Sequence, residues 1–337
     1  MMFDSKTFKI LSALHLNPLN LMEISRVTKI PYSTLRRRIN KLRTQIKVYA
    51  RPDYWRLGLA PMIYIMPFKK KEFDVFSKAY YTRSLMKFFY KTSSMLFMFL
   101  TVPIEFKSII DAVLKSVAEV TFSDDVLEIT SPKEFKAEID WDEVYDTVIK
   151  SEEKKIEVPR EEVFDLKDLL IIRELEKDSL ITFKNIAETV GISEELCLYH
   201  YYRHIAERKL IKEFSVRVKI SKEEIPSLLI MIKAKKSAIG LLRGFQKIHY
   251  VETIYLTRNN SILVQIQLPS SYWVSFFRLL DRLQTNGIIS EYDFMVQDPS
   301  LWLELPLNDK AWNETHRRWM IDPVLEEIIR GRRTSAA

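Results

Sequence analysis

Arg36, Arg37, Arg38, Asn40, Lys41 and Arg43 surround an apolar stripe of Leu35, Ile39 and Leu42 spaced i, i+4, i+7. That spacing predicts a helix with its apolar face inward and its basic arc outward. Double-stranded DNA carries dense phosphate charge, and its major groove admits one α-helix. Arginine makes bidentate contacts to guanine edges and to phosphates, so this arc suits groove binding. Tyr32, Ser33 and Thr34 open the helix, with Ser33 the expected N-cap, and Arg51 follows on a predicted wing. These residues form the expected DNA-contacting set. The charge is local: residues 1–60 hold twelve Lys/Arg against three acids, a net of +9 that exceeds the +7 of all 337 residues.

A second segment, 162 residues further on, carries different chemistry. Arg36, Arg37 and Arg38 are replaced by Leu198, Tyr199 and His200, and Ser33 by Glu195. Residues 164–225 hold eleven Lys/Arg against twelve acids, a net of −1. Tyr199, His200 and Tyr202 are expected to form a surface for a protein partner. His200 and His204 have the i, i+4 spacing of a metal pair, but no third ligand is evident and HExxH is missing, so no metal is expected. Ser93-Ser94 and Asp124-Asp125 adjoin no His-bearing motif, and no triad is readable. The single cysteine, Cys197, excludes an intrachain disulfide and a cysteine-rich zinc site. With six glycines and no GxGxxG or GxxxxGK[ST], no phosphate loop stands out. No catalytic residue and no cofactor is expected, and the chain is not expected to be an enzyme.

The elements that must position these residues come as a repeat. Ile24–Ile30 before Tyr32–Ile39 parallels Ile186–Ile192 before Glu194–Tyr201, and Thr92–Pro103 parallels Thr257–Pro269. Each unit begins with helices joined by a tight turn and a strand-like wing, a winged helix-turn-helix. Each continues as βαββαβ, the ferredoxin-like order. The expected fold is α+β: two tandem repeats of winged helix-turn-helix plus ferredoxin-like domain. The divisions are 1–60 and 164–225 for the winged helices, and 61–132 and 226–299 for the αβ domains. An acidic linker with a short helix fills 133–163, and a C-terminal tail with a short helix, Pro323–Arg330, fills 300–337. Gly331–Ala337 are expected to be disordered. The strand Met95-Leu-Phe-Met-Phe-Leu100 is apolar on both faces, while the helices of such a domain cover only one. The second face is expected to be buried by pairing of the αβ domains, within the chain or with a second chain. No apolar run approaches the roughly 18–20 residues that span a membrane, and a cytoplasmic protein is expected.

Ile30-Pro-Tyr-Ser-Thr-Leu-Arg-Arg-Arg-Ile-Asn-Lys-Leu42 resembles the recognition-helix signature of the leucine-responsive regulatory protein/AsnC family of transcription regulators. Arg56-Leu-Gly-Leu59 resembles that family's joint between wing and αβ domain. The resemblance implies DNA binding that controls transcription, and association through αβ domains into a dimer or larger homo-oligomer. Thr92–Met95 and Thr257–Ser261 replace the family's glycine-containing small-molecule loop. An alternative is a siroheme-decarboxylase-like tetrapyrrole enzyme, since some proteins similar to this family are such enzymes and occur as fused pairs. Their His-Asn-Tyr-like motif corresponds here to Lys87-Phe-Phe-Tyr90 and Thr253-Ile-Tyr255, without the histidine; His249 is the nearest substitute. A third reading is a protein-binding co-regulator.

Overall fold

The structure is a computed structural model that describes residues 3–152, 156–219, 225–236 and 238–327. The expected disorder of 331–337 falls outside these residues, and of the expected terminal helix 323–327 are helical. The chain opens with helices α1 (Ser5–Leu14), α2 (Leu21–Thr28) and α3 (Tyr32–Leu42), then strand β1 (Ile46–Pro52). Asp4 caps α1 by accepting from the Thr7 N–H, and Asn20 caps α2 by accepting from the Glu23 N–H. Ser33 does not cap α3. The helix starts two residues earlier, and Pro31, whose ring fixes φ, takes the N-cap position without a side-chain bond. Leu35, Ile39 and Leu42 pack inward as the spacing requires.

Strands and helices then follow as β2 (Leu59–Pro67), α4 (Lys70–Phe76), β3 (Thr82–Tyr90), β4 (Ser93–Pro103), α5 (Lys107–Val117) and β5 (Phe122–Thr130). After α6 (Trp141–Lys150) come α7 (Leu166–Lys177), α8 (Phe183–Val190), α9 (Glu194–Tyr199), a π-turn at His200–Ala206 and β6 (Ile211–Val218). The chain continues as β7 (Leu228–Ala234), α10 (Ala238–Phe245), β8 (Val251–Thr257), β9 (Ser261–Ile266), α11 (Trp273–Thr285) and β10 (Ile289–Glu304).

Eight strands close one barrel in the order β10-β3-β4-β2-β5-β8-β9-β7. Its two joints cross between the halves of the chain: β5 pairs with β8 from Val126↔Thr257 to Thr130↔Ile254, and β10 pairs with β3 from Val296↔Phe89 to Glu304↔Ser84. The doubly apolar strand is thereby explained. Met95 to Leu100 are all buried, and Phe97 and Phe99 meet Tyr255 of the other half at ring separations of 5.8 and 5.4 Å. The pairing takes place within the chain, where closure removes sheet edges. A second, two-stranded sheet joins the wings, β1 running antiparallel to β6 from Ile46↔Val218.

Two expected divisions change. The acidic segment is not merely a linker: Ile139, Val144 and Val148 belong to the core formed by β7–β10, α10 and α11. Gly240 and Gly244 permit this approach, since a Cβ at either would stand 2.5 Å from the Val148 carbonyl oxygen or 2.4 Å from Val148 Cγ2. The boundary at 299 falls inside β10, whose 16 residues pair first with β7 and then with β3. Among the described residues no helix is long and apolar enough to cross a membrane.

Candidate functional site

The basic arc of α3 is exposed. Tyr32, Ser33, Arg36, Arg37, Asn40 and Lys41 share one shallow surface depression, with Thr34 half-buried beside them. Among the described residues Arg36, Arg37 and Lys41 enter no ion pair. Two neighbours are engaged within the chain. Arg38 reaches Asp4 at 2.9 Å, and Arg43 donates to the Leu180 carbonyl and lies 3.8 Å from Asp178. Arg51 is a correction: it is buried, points away from this arc, and holds Glu213 at 3.4 Å. Its position on β1 faces it between the wing sheet and the barrel, where residue order alone places it on an open wing.

The second winged helix presents Glu194, Glu195, Tyr199 and Tyr202 to solvent, but not His200. That residue, expected on a partner surface, is 4% exposed. Its Nδ1 lies 2.8 Å from Oδ1 of Asp168, and His204 Nδ1 lies 3.2 Å from Oδ2 of the same carboxylate. Asp168 is itself wholly buried and forms a capping box with Asp165. His200 stands at the offset position of Arg38, which likewise turns back toward the first helix of its unit, but the two helices part company further on, at the π-turn. Inward residues of α3 recur as Leu35, Ile39 and Leu42, whereas those of the second recur as Cys197, Tyr201 and Ile205, one residue longer. The extra residue falls after Tyr201 and places Ile205, not His204, in the core.

A third region escapes reading by motif. Between the wing sheet, the end of α7 and the mouth of the barrel lies a cavity of about 300 Å³. Lys47, Arg51, Arg83, Lys177 and Arg217 line it against only two carboxylates, Glu176 and Glu304. Arg217 donates to Glu304 at 2.8 Å, and the Tyr49 ring lies between the guanidinium groups of Arg51 and Arg217, 5.7 and 5.6 Å away. Arg83 gives its two terminal nitrogens to the Tyr80 and Pro306 carbonyls. The Nε atoms of Arg83 and Arg217 are buried without a hydrogen-bond partner, that of Arg217 facing a Glu252 oxygen at 4.0 Å. Such orphaned donors cost free energy unless something completes them.

Burial lowers the pKa of Arg83 and raises those of Tyr54 and Tyr255, so both phenols stay protonated and able to donate. Burial also pushes the Glu176 carboxyl up to about 7, against the opposing pull of Arg83. The cavity therefore offers cationic and phenolic donors to an anion and one carboxyl group that exchanges its proton near neutrality. Thr253 and Tyr255 line it, whereas His249 does not. That histidine packs beside Tyr250 with a ring separation of 4.2 Å, and burial lowers its pKa to about 4. Lys87 pairs with Asp298 at 3.0 Å, and Tyr90 donates to Asp293. The signal in the sequence was slight: Arg83 and Arg217 lie in strands that carry other charges, Lys87 in β3 and Lys212 and Glu213 in β6, a pattern usually read as a solvated edge.

A winged helix-turn-helix DNA-binding family model matches residues 164–201, within the second winged helix. Among curated proteins none matches the chain. Two solved structures of the siroheme decarboxylase NirDL match nearly end to end. The one in complex with an iron-uroporphyrin III analogue has 13% identity, covers 97% of this chain and 99% of its own, and gives a TM-score of 0.55. The other has 11% identity, covers 98% of this chain and 100% of its own, and gives 0.54. The LrpC of B. subtilis matches 40% of this chain and 94% of its own at 19% identity, with a TM-score of 0.32. At these identities the NirDL likeness is one of fold. It nevertheless corrects the expectation that the chain is not an enzyme, since the fold shared over nearly all of the chain is one that an enzyme uses.

Proposed function

We propose that this chain is a carboxylate-processing enzyme of the tetrapyrrole-decarboxylase kind, built from two copies of one unit, with its reaction centre in the cavity between wing sheet and barrel. The observation that carries the reading is the pair of buried arginines, Arg83 and Arg217, with orphaned Nε donors beside protonated Tyr54 and Tyr255. Desolvated guanidinium groups recognise carboxylates strongly. The fold likeness to a siroheme decarboxylase over nearly the whole chain supports a tetrapyrrole acid as the substrate class. Loss of CO₂ breaks a carbon–carbon bond and leaves an electron pair that a proton must capture. Glu176, poised near 7, is the group at this cavity best matched to hand over a proton at neutral pH.

The volume sets a condition. Small-molecule sites run roughly 300–1,000 Å³, and 300 Å³ accommodates one acid side chain with the ring that bears it, not a macrocycle. On this reading one acid-bearing edge of the substrate enters the cavity and the rest of the macrocycle stays outside its mouth. The test is a titration of the pure chain with siroheme and with iron-uroporphyrin III, followed by the Soret band. A saturable shift, weakened about tenfold or more in Arg217→Met, is expected; an unshifted band at saturating tetrapyrrole ends this reading.

A second reading has its own observation: Arg36, Arg37 and Lys41 form an exposed basic arc without ion pairs among the described residues. It supports DNA binding by the first winged helix, with Tyr32, Ser33, Thr34 and Asn40 at the same surface. About five phosphate contacts would give log K a slope near −4 to −5 against log salt.

A further inference from the structure

The buried cluster in the second winged helix has the composition of a metal site. One ligand atom from each of Asp165, Asp168, His200 and His204 lies within 4.8 Å of every other. The closest separations are 2.8 Å from His200 Nδ1 to Asp168 Oδ1, 3.2 Å from His204 Nδ1 to Asp168 Oδ2, and 3.8 Å from His200 Nδ1 to Asp165 Oδ1. A tetrahedral zinc ion with bonds of about 2.0–2.1 Å holds its ligand atoms roughly 3.3 Å apart. The measured separations straddle that value, so side-chain adjustment alone would complete the shell.

The pattern of burial points the same way. Asp168 is fully buried, His200 nearly so, and the side chains of His204 and Asp165 are 19% and 23% exposed. Each side contributes one buried ligand and one part-exposed ligand, and the exposed pair, Asp165 and His204, leaves an ion a path in. π-Turns occur frequently at functional sites, and here the turn carries both histidines. A divalent ion with two carboxylates and two neutral imidazoles forms a neutral set.

We infer that Asp165, Asp168, His200 and His204 form a binding site for one divalent transition-metal ion of the zinc class, which pins the third helix of the second winged helix to its first. The site lies outside the cavity assigned to catalysis, and the outcome of the Soret titration does not bear on it.

The experiment uses the full chain stripped with chelator and titrated with Co²⁺. One equivalent per chain is expected to give the visible bands of a tetrahedral nitrogen–oxygen site, bleached by one equivalent of Zn²⁺. His204→Ala and Asp165→Asn, with folding checked by far-UV circular dichroism, are each expected to weaken binding tenfold or more. His316→Ala, at an exposed histidine elsewhere, should leave it unchanged. If either variant fails to fold, the Co²⁺ spectrum of the parent chain decides. The absence of a saturable band, or a band that survives both folded variants, overturns the site and leaves a hydrogen-bonded cluster.

Discussion

The two winged helices solve one structural problem with opposite chemistry. In the first, Arg38 on α3 reaches back to Asp4 at the start of α1, across a surface where the two side chains are 30% and 55% exposed. In the second, at the corresponding place, His200 reaches Asp168 in the first turn of α7, where the side chains are 5% and 0% exposed. Both contacts tie the third helix to the first. The surface pair leaves Arg36, Arg37 and Lys41 free to meet a phosphate backbone. The buried pair sits beneath a face of Glu194, Glu195, Tyr199 and Tyr202 that repels one. A shared fold therefore says little about what each face binds; the residues on it decide.

The sharpest break in this comparison is stability. His200→Ala leaves the buried Asp168 carboxylate without its closest partner and is expected to cost about 3 kcal/mol or more by chemical denaturation. Arg38→Ala removes a contact that solvent already screens and should leave the denaturation midpoint unmoved within scatter. Equal losses would mean that burial does not separate the two tethers.

Next comes nucleic-acid affinity. Arg36→Ala with Arg37→Ala should weaken binding to double-stranded DNA by about 2 kcal/mol, read by fluorescence anisotropy. Leu198→Ala with Tyr199→Ala, at the corresponding positions, should change it little. Loss from the second pair alone would move the DNA face to the segment that the winged helix-turn-helix model matches.

The smallest expected effect concerns pH. At the same offset of 162, Leu14 of α1 stands where Glu176 stands on α7, one buried and apolar, the other carrying a carboxyl raised to about 7 by burial. A carboxyl whose folded pKa is raised favours the fold fully below its unfolded value near 4.5, and that contribution disappears as pH rises through 7. Allowing for its part exposure, about 1–2 kcal/mol should be lost over that window. Glu176→Gln should flatten the stability profile between pH 4.5 and 8; an unchanged slope would assign the titration to another group.

From residue order alone, the local elements were legible because they rest on periodicity and backbone chemistry. The stripe of Leu35, Ile39 and Leu42 faces inward at the expected turns of α3. The doubly apolar Met95–Leu100 strand announced a second buried face, because exposing it to water would be costly. The π-turn was not legible: a fixed offset of 162 places Leu42 opposite His204, and only the packed helix shows that Ile205 takes the inward position. Nor was the central cavity. Arg51, Arg83, Glu176, Arg217 and Tyr255 are scattered over 205 positions and converge because β5 joins β8, β10 joins β3, and β1 joins β6. Those pairings close the barrel through long-range contacts whose partners no local pattern names. The same folding buries cations that isolated reading assigns to solvent, and with that burial come the donors without hydrogen bonds and the shifted carboxyl on which the proposed chemistry rests.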